Sequence, residues 1–132
     1  MLARKVFTMS NDKKINDDNS MQEDSNCFEE VSDDNFEERV IKESHKRDVV
    51  VDFWAGWCMP CKMLDPILEK VSQNQGENRL FVKINADKNP RVSMEYDVLS
   101  IPSVKIFHKG KVLRGFTGFR PRDELIKWLE KK

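Results

Sequence analysis

The stretch from Val49 to Val71 limits the possible folds more than any other part of the chain. Val49-Val50-Val51-Asp52-Phe53-Trp54 is a β-branched and aromatic run with little polar alternation, the pattern of a central strand covered on both faces. Ala55-Gly56-Trp57-Cys58-Met59-Pro60-Cys61-Lys62 follows at once, and then Met63, Leu64, Ile67, Leu68 and Val71 form one apolar helical stripe. A buried strand running directly into an amphipathic helix calls for a layered α/β architecture. The same junction puts Cys58 at a helix N-terminus, where unpaired amides and the macrodipole favour a thiolate. Cys61, three residues on, shares that helix face and lies within disulfide reach. Pro60 is tolerated in the first turn, which has no intrahelical acceptor for its amide, whereas Pro66 should kink the helix.

The remaining segments extend the alternation. Cys27 and Phe28 begin a short strand, and Ser32 or Asp33 can cap a helix carrying Phe36, Val40 and Ile41 at helical spacing. Leu80–Ile84 reads as a third strand, and Pro90 opens a short helix over Arg91–Tyr96. Two further strands, Ser103–Phe107 and Lys111–Phe116, flank His108-Lys109-Gly110 as an antiparallel hairpin. A last helix runs from about Pro121 to Lys131, with Leu125, Ile126 and Leu129 inward and Trp128 partly so. The order β-α-β-α-β-α-β-β-α predicts a central mixed sheet of about five strands, flanked by about four helices and joined by right-handed crossovers. Residues 1–25 carry runs of Asn, Asp, Ser and Lys without apolar periodicity, and are expected to form a flexible polar extension to a domain spanning 26–132.

Composition excludes several classes of function. Lys plus Arg equals Asp plus Glu at 23 each, so no overall field points to nucleic acid or an anionic membrane. The charges are uneven. Residues 29–43 hold the acids Glu29, Glu30, Asp33, Asp34, Glu37, Glu38 and Glu43, while Lys and Arg dominate 105–132; these read as solvated faces of opposite sign, with docking as the alternative. No apolar run approaches the ~18 residues of a membrane span. The start lacks an apolar secretory stretch, and Asp12, Asp17 and Asp18 are foreign to a transit peptide. Three cysteines, an odd count, argue against a secreted disulfide framework. A cytoplasmic protein is expected, with an organelle address as the lesser alternative. Cys27 reads as a small hydrophobe in the first strand, with a regulatory or dimer-forming thiol as the alternative.

Cys-x-x-Cys serves either redox or metal chemistry. A zinc site needs a second ligand pair, which the chain lacks, and His45 and His108 stand alone as surface or turn residues. Covalent haem attachment needs His after Cys61, where Lys62 stands. Redox chemistry is left: a Cys58 thiolate attacks a disulfide, and Cys61 resolves the mixed disulfide by attacking the Cys58 sulfur. Asp52 is the second telling residue, because a carboxylate inside an apolar strand is costly to desolvate and its pKa should rise.

Val51-Asp52-Phe53-Trp54-Ala55, Trp57-Cys58, Pro60-Cys61-Lys62, Pro66, Lys83-Ile84-Asn85-Ala86-Asp87, Ile101-Pro102 and Lys109-Gly110, in this order and spacing, resemble the thioredoxin family over about Asn26 to Lys132. The resemblance implies the thioredoxin fold and protein-disulfide reductase activity without a bound cofactor, the Cys58–Cys61 disulfide being the redox group. It implies disulfide-containing target proteins and a thioredoxin reductase linked to NADPH and flavin or to ferredoxin; a monomer is expected, and the charge balance and short apolar runs point to neither nucleic acid nor membrane as a partner. It also implies that Asp52 lies beneath the cysteines and helps move the Cys61 proton, with Lys83 as its partner. A cis Ile101–Pro102 bond is implied against the disulfide, with Trp57, Ile101 and Gly118 as the docking rim and Met59 and Pro60 as further contacts. Met59 departs from the family, which usually has Gly there, and Ser103 stands where Thr is commoner. Disulfide oxidation or isomerisation on the same fold, or a binding or chaperone module, are the alternatives to reduction.

Overall fold

A computed structural model describes residues 28–75 and 78–131; the extension expected at 1–25 and Cys27 lie outside the described residues. Five strands form one sheet: β1 (Phe28–Val31), β2 (Asp48–Trp54), β3 (Arg79–Asn85), β4 (Ser103–His108) and β5 (Lys111–Thr117). They are ordered β1-β3-β2-β4-β5, with β1, β3 and β2 parallel and β4 and β5 antiparallel to their neighbours. The helices are α1 (Met59–Gln75), α2 (Pro90–Glu95) and α3 (Arg122–Glu130). This is the expected mixed α/β sheet.

β2 is central and its inner residues are buried on both sides, which accounts for its lack of alternation. Val49, Val51 and Phe53 join one core with Phe36, Val40, Val82, Ile84 and Phe107. Val50 joins the other with Leu64, Leu68, Phe81, Val104, Leu125 and Leu129. By the alternation of strand side chains, Asp52 belongs with Val50 on the face covered by α1.

The helix expected after Asp33 is irregular. Lys42 N–H donates to the Glu37 carbonyl, a π-helical turn over Glu37–Ile41, and a 3₁₀ turn follows at Glu43–His45. The wide turn still buries Phe36 and Val40. It also brings buried Ser44 against the β4–β5 hairpin, where the Lys109 amide donates to the Ser44 carbonyl and the Gly110 amide to Ser44 Oγ. Lys109 and Gly110, with φ of 51° and 85°, make the two-residue hairpin turn that needs positive φ at both positions. Asp33 caps a helix, but not its own. Its carboxylate accepts the Arg91 and Val92 amides at 3.2 and 3.0 Å, at the start of α2.

Two expected burials differ. Met63 is 52% exposed rather than part of the α1 stripe. Trp128 is buried, while Ile126 is only half-buried. Trp128 meets Phe116 edge to face at 4.7 Å, a large aromatic contact that draws it inward.

Candidate active site

β2 ends at Trp54 and α1 begins at Met59, so Cys58 stands in the N-cap position. Its carbonyl accepts the Lys62 amide and its Sγ accepts the Cys61 amide, each at 3.2 Å. Sulfur thus takes the place that a capping oxygen usually fills. Met59, Pro60 and Cys61 are the first three helical residues, and Pro60 removes an amide that had no partner. Cys58 and Cys61 are joined as a disulfide across a Cα separation of 5.3 Å. Both are nearly inaccessible, at 2% and 3%. When the bond is reduced, the amide aimed at Cys58 Sγ and the N-terminus of a 17-residue helix favour negative charge on that sulfur.

Strand register builds the second part of the site. Glu30 on β1 and Asp52 on β2 both pair with Lys83 on β3, and Asp52 pairs with Val104 on β4. Side chains paired in register share a sheet face, so Glu30, Lys83 and Asp52 form a row under α1. Asp52 is 1% exposed and its Oδ1 makes no hydrogen bond. Burial pushes its pKa up to about 8; the negative field of Asp65 adds to the rise, Lys83 opposes it, and Glu30 adds slightly. Lys83 adjoins Asp52 in register, but its ion pair is with Asp65, at 3.4 Å. Lys83 thus acts on the expected partner, Asp52, through its charge from the adjoining register position. Lys83 Nζ also lies 5.3 and 5.4 Å from the ring centroids of Phe28 and Trp54, which accommodate a cation on their faces. A cavity of about 90 Å³ beside Cys61 is lined by Trp54, Ala55, Gly56, Lys62, Asp65 and Lys83.

The expected docking residues fall into two groups, one exposed beside the disulfide in sequence and one half-buried or buried. Trp57 is 70% and Met59 63% exposed, and Pro60 is exposed beside them. The Trp57 indole donates to Asp87 at 2.6 Å, which fixes the ring's orientation. Ile101 packs on the cluster formed by Ala55, Cys58 and Cys61. The Ile101–Pro102 bond is cis, and Pro102 is buried. The Pro102 carbonyl accepts the Gly118 amide at 2.8 Å, which ties the second group together. Gly118 has φ of +87°, and a Cβ there would meet nothing within 4 Å. Gly118→Ala should therefore fold without a clash and lose about 1–2 kcal/mol through backbone strain alone; an unchanged urea midpoint would contradict that.

Three residues here were not assigned to the site from sequence: Asp65, Asp87, although it stands in a stretch that carries the resemblance, and Glu30, read only as part of an acidic face. Asp65 carried a usable signal, since it follows Cys61 by one helical turn and so shares its face. Asp87 reaches Trp57 and Glu30 reaches Trp54 only through tertiary contacts and register. Among the described residues, no group of three or more His, Cys, Asp or Glu side chains is placed to hold a metal ion.

Comparison with known proteins agrees with this geometry. The thioredoxin family model matches residues 27–131. A thioredoxin of Rickettsia bellii is 39% identical over 99 residues, covering 75% of this chain and 92% of that protein. A thioredoxin of Streptomyces clavuligerus is 38% identical over 97 residues, covering 74% and 88%. A thioredoxin of Rhodospirillum rubrum is 39% identical over 103 residues, covering 78% and 97%.

Proposed function

The chain belongs to the thioredoxin family, and from that premise we propose that Cys58 is its attacking thiolate, Cys61 its resolving cysteine and Asp52 the proton acceptor for Cys61. The protein is a thiol–disulfide oxidoreductase of the protein-disulfide reductase type, whose redox group is its own disulfide. The observation that carries this is the buried Cys58–Cys61 disulfide at the start of α1 within a thioredoxin domain.

In the reduced protein the Cys58 thiolate attacks one sulfur of a target disulfide; a Cys58–target bond forms and the other target sulfur leaves as a thiolate that takes up a proton. Cys61 then gives its proton, by way of water, to the Asp52 carboxylate. The Cys61 thiolate attacks Cys58 Sγ, the Cys58–Cys61 bond forms, and the second target sulfur leaves. A proton affinity near the working pH lets Asp52 take a proton and return it. Lys83 tunes that affinity from β3. Trp57, Met59, Pro60, Ile101, Pro102 and Gly118 receive the target, with an extended target strand pairing along the backbone of Ile101. Met59 adds an adaptable apolar contact beside the nucleophile.

Disulfide-containing proteins and a reductase that restores the dithiol are the partners of this family's chemistry. For this chain we assign a thioredoxin reductase drawing on NADPH and flavin or on ferredoxin, a monomeric state and a cytoplasmic setting, with residues 26–132 as the catalytic domain. Among the described residues no helix is long and apolar enough to cross a membrane.

The test is insulin reduction by dithiothreitol, followed as turbidity. Catalytic amounts of the protein should shorten the onset of precipitation severalfold. An unchanged onset would mean a binding module, and a reduction potential near that of strong disulfide oxidants would mean an oxidase.

A further inference from the structure

Asp65 has no place in the exchange cycle above, yet it joins every charged part of the site. It lies one turn along α1 from Cys61, lines the same small cavity and holds the Lys83 ammonium at 3.4 Å. Lys83 is the residue that strand register sets beside Asp52. Its cation is nonetheless drawn to Asp65, between the Phe28 and Trp54 rings. Asp52 Oδ1, buried at the same register position, is left without a hydrogen bond.

We propose that Asp65 is a positioning residue: by pairing with the Lys83 ammonium it fixes that cation between the Phe28 and Trp54 rings rather than on the Asp52 carboxyl, and so sets the pH at which Asp52 can accept the Cys61 proton. Two electrostatic effects act in the same direction. The Asp65 charge opposes ionisation of Asp52 directly, and its pairing with Lys83 weakens the offset that the ammonium supplies to Asp52. The other groups facing Asp52 do not replace that cation. Glu30 from β1, an acid whose pKa is raised by burial, accepts the Trp54 indole, β4 presents Val104 in register, and α1 presents the Cys58–Cys61 pair with Lys62 on the cavity wall.

The inference takes its catalytic meaning from the proton-accepting role of Asp52, so the test reads the electrostatic link by itself. The Asp52 side-chain carboxyl is titrated by carbon-detected NMR in the full-length oxidised protein, in wild type, Asp65→Asn, Asp65→Glu, Lys83→Met and the Asp65→Asn/Lys83→Met double variant. Asp65→Asn should lower the Asp52 midpoint by about one pH unit or more, the size of effect a freed cation has on a nearby carboxylate. Asp65→Glu should restore most of the wild-type midpoint. In the Lys83→Met background the Asp65→Asn shift should shrink to less than about half, because no ammonium is left to release. An unmoved midpoint in Asp65→Asn would overturn the proposal. Equal shifts in both backgrounds would overturn the holding of Lys83 and leave Asp65 a plain charge. If the shifts follow expectation while Asp52→Asn resolves mixed disulfides at the wild-type rate, the link stands and the proton-accepting role of Asp52 is what fails.

Discussion

Cys58→Ser should abolish catalysed insulin reduction, with a loss of roughly three orders of magnitude or more, as expected when the nucleophile itself is removed. Cys61→Ser should lose turnover almost as completely but behave differently towards targets. With Cys58 intact and no resolving thiol, the first exchange stops at the mixed disulfide, so target proteins accumulate as covalent adducts that dithiothreitol releases. Cys58→Ser should trap far fewer. The asymmetry follows from position. Cys58 Sγ sits at the helix cap, faced by the Cys61 amide, whereas Cys61 is already the third helical residue. Alkylation of the reduced protein should likewise reach Cys58 first and at lower pH. A better trap from Cys58→Ser, or earlier alkylation of Cys61, would reverse the two roles.

The second large effect is on stability, and it comes from Asp52. Its ordinary pKa of 3.8 is pushed up to about 8 by burial, so between these values the folded protein holds a proton that the unfolded chain has released. More protons bound in the folded state means that stability falls as pH rises through this window, fully present near pH 4 and lost by pH 8. At about 1.4 kcal/mol per pH unit, the loss by pH 7 is on the order of 4 kcal/mol. Asp52→Asn keeps the shape of the protonated carboxyl and cannot ionise. It should match the wild type near pH 4 and exceed it by on the order of 4 kcal/mol at pH 7 in urea unfolding of the oxidised protein. Parallel stability profiles across pH 4–8 would show that Asp52 does not carry the raised proton affinity. The same variant should slow resolution by Cys61 while leaving the first attack by Cys58 less affected. With the proton-accepting role proposed for Asp52, a cost of this size would be a trade of stability for activity.

What could be read from the chain alone was whatever acts between near neighbours. The unbroken apolar run of β2 signals a strand covered on both faces, because every side chain of a central strand meets a packed layer. The thiol chemistry was legible because strand, cap and helix adjoin in sequence, so Cys58 could be placed at the start of α1 without tertiary knowledge. Lys109-Gly110 marked its hairpin turn for the same reason. Tertiary structure decided what depends on register and packing between distant segments. Asp33 lies where a local cap is expected, yet its carboxylate serves the α2 amides 58 and 59 residues away. Met63 fits the apolar stripe of α1 but faces out, since periodicity describes a helix face without saying how much of it the sheet covers. The charge arrangement around Asp52 is the furthest from sequence. Glu30, Asp52 and Lys83 become neighbours only through the pairing of three strands, and α1 then lays Asp65 across them. Coulomb energy depends on distance and burial, and neither is encoded at the residue that feels it.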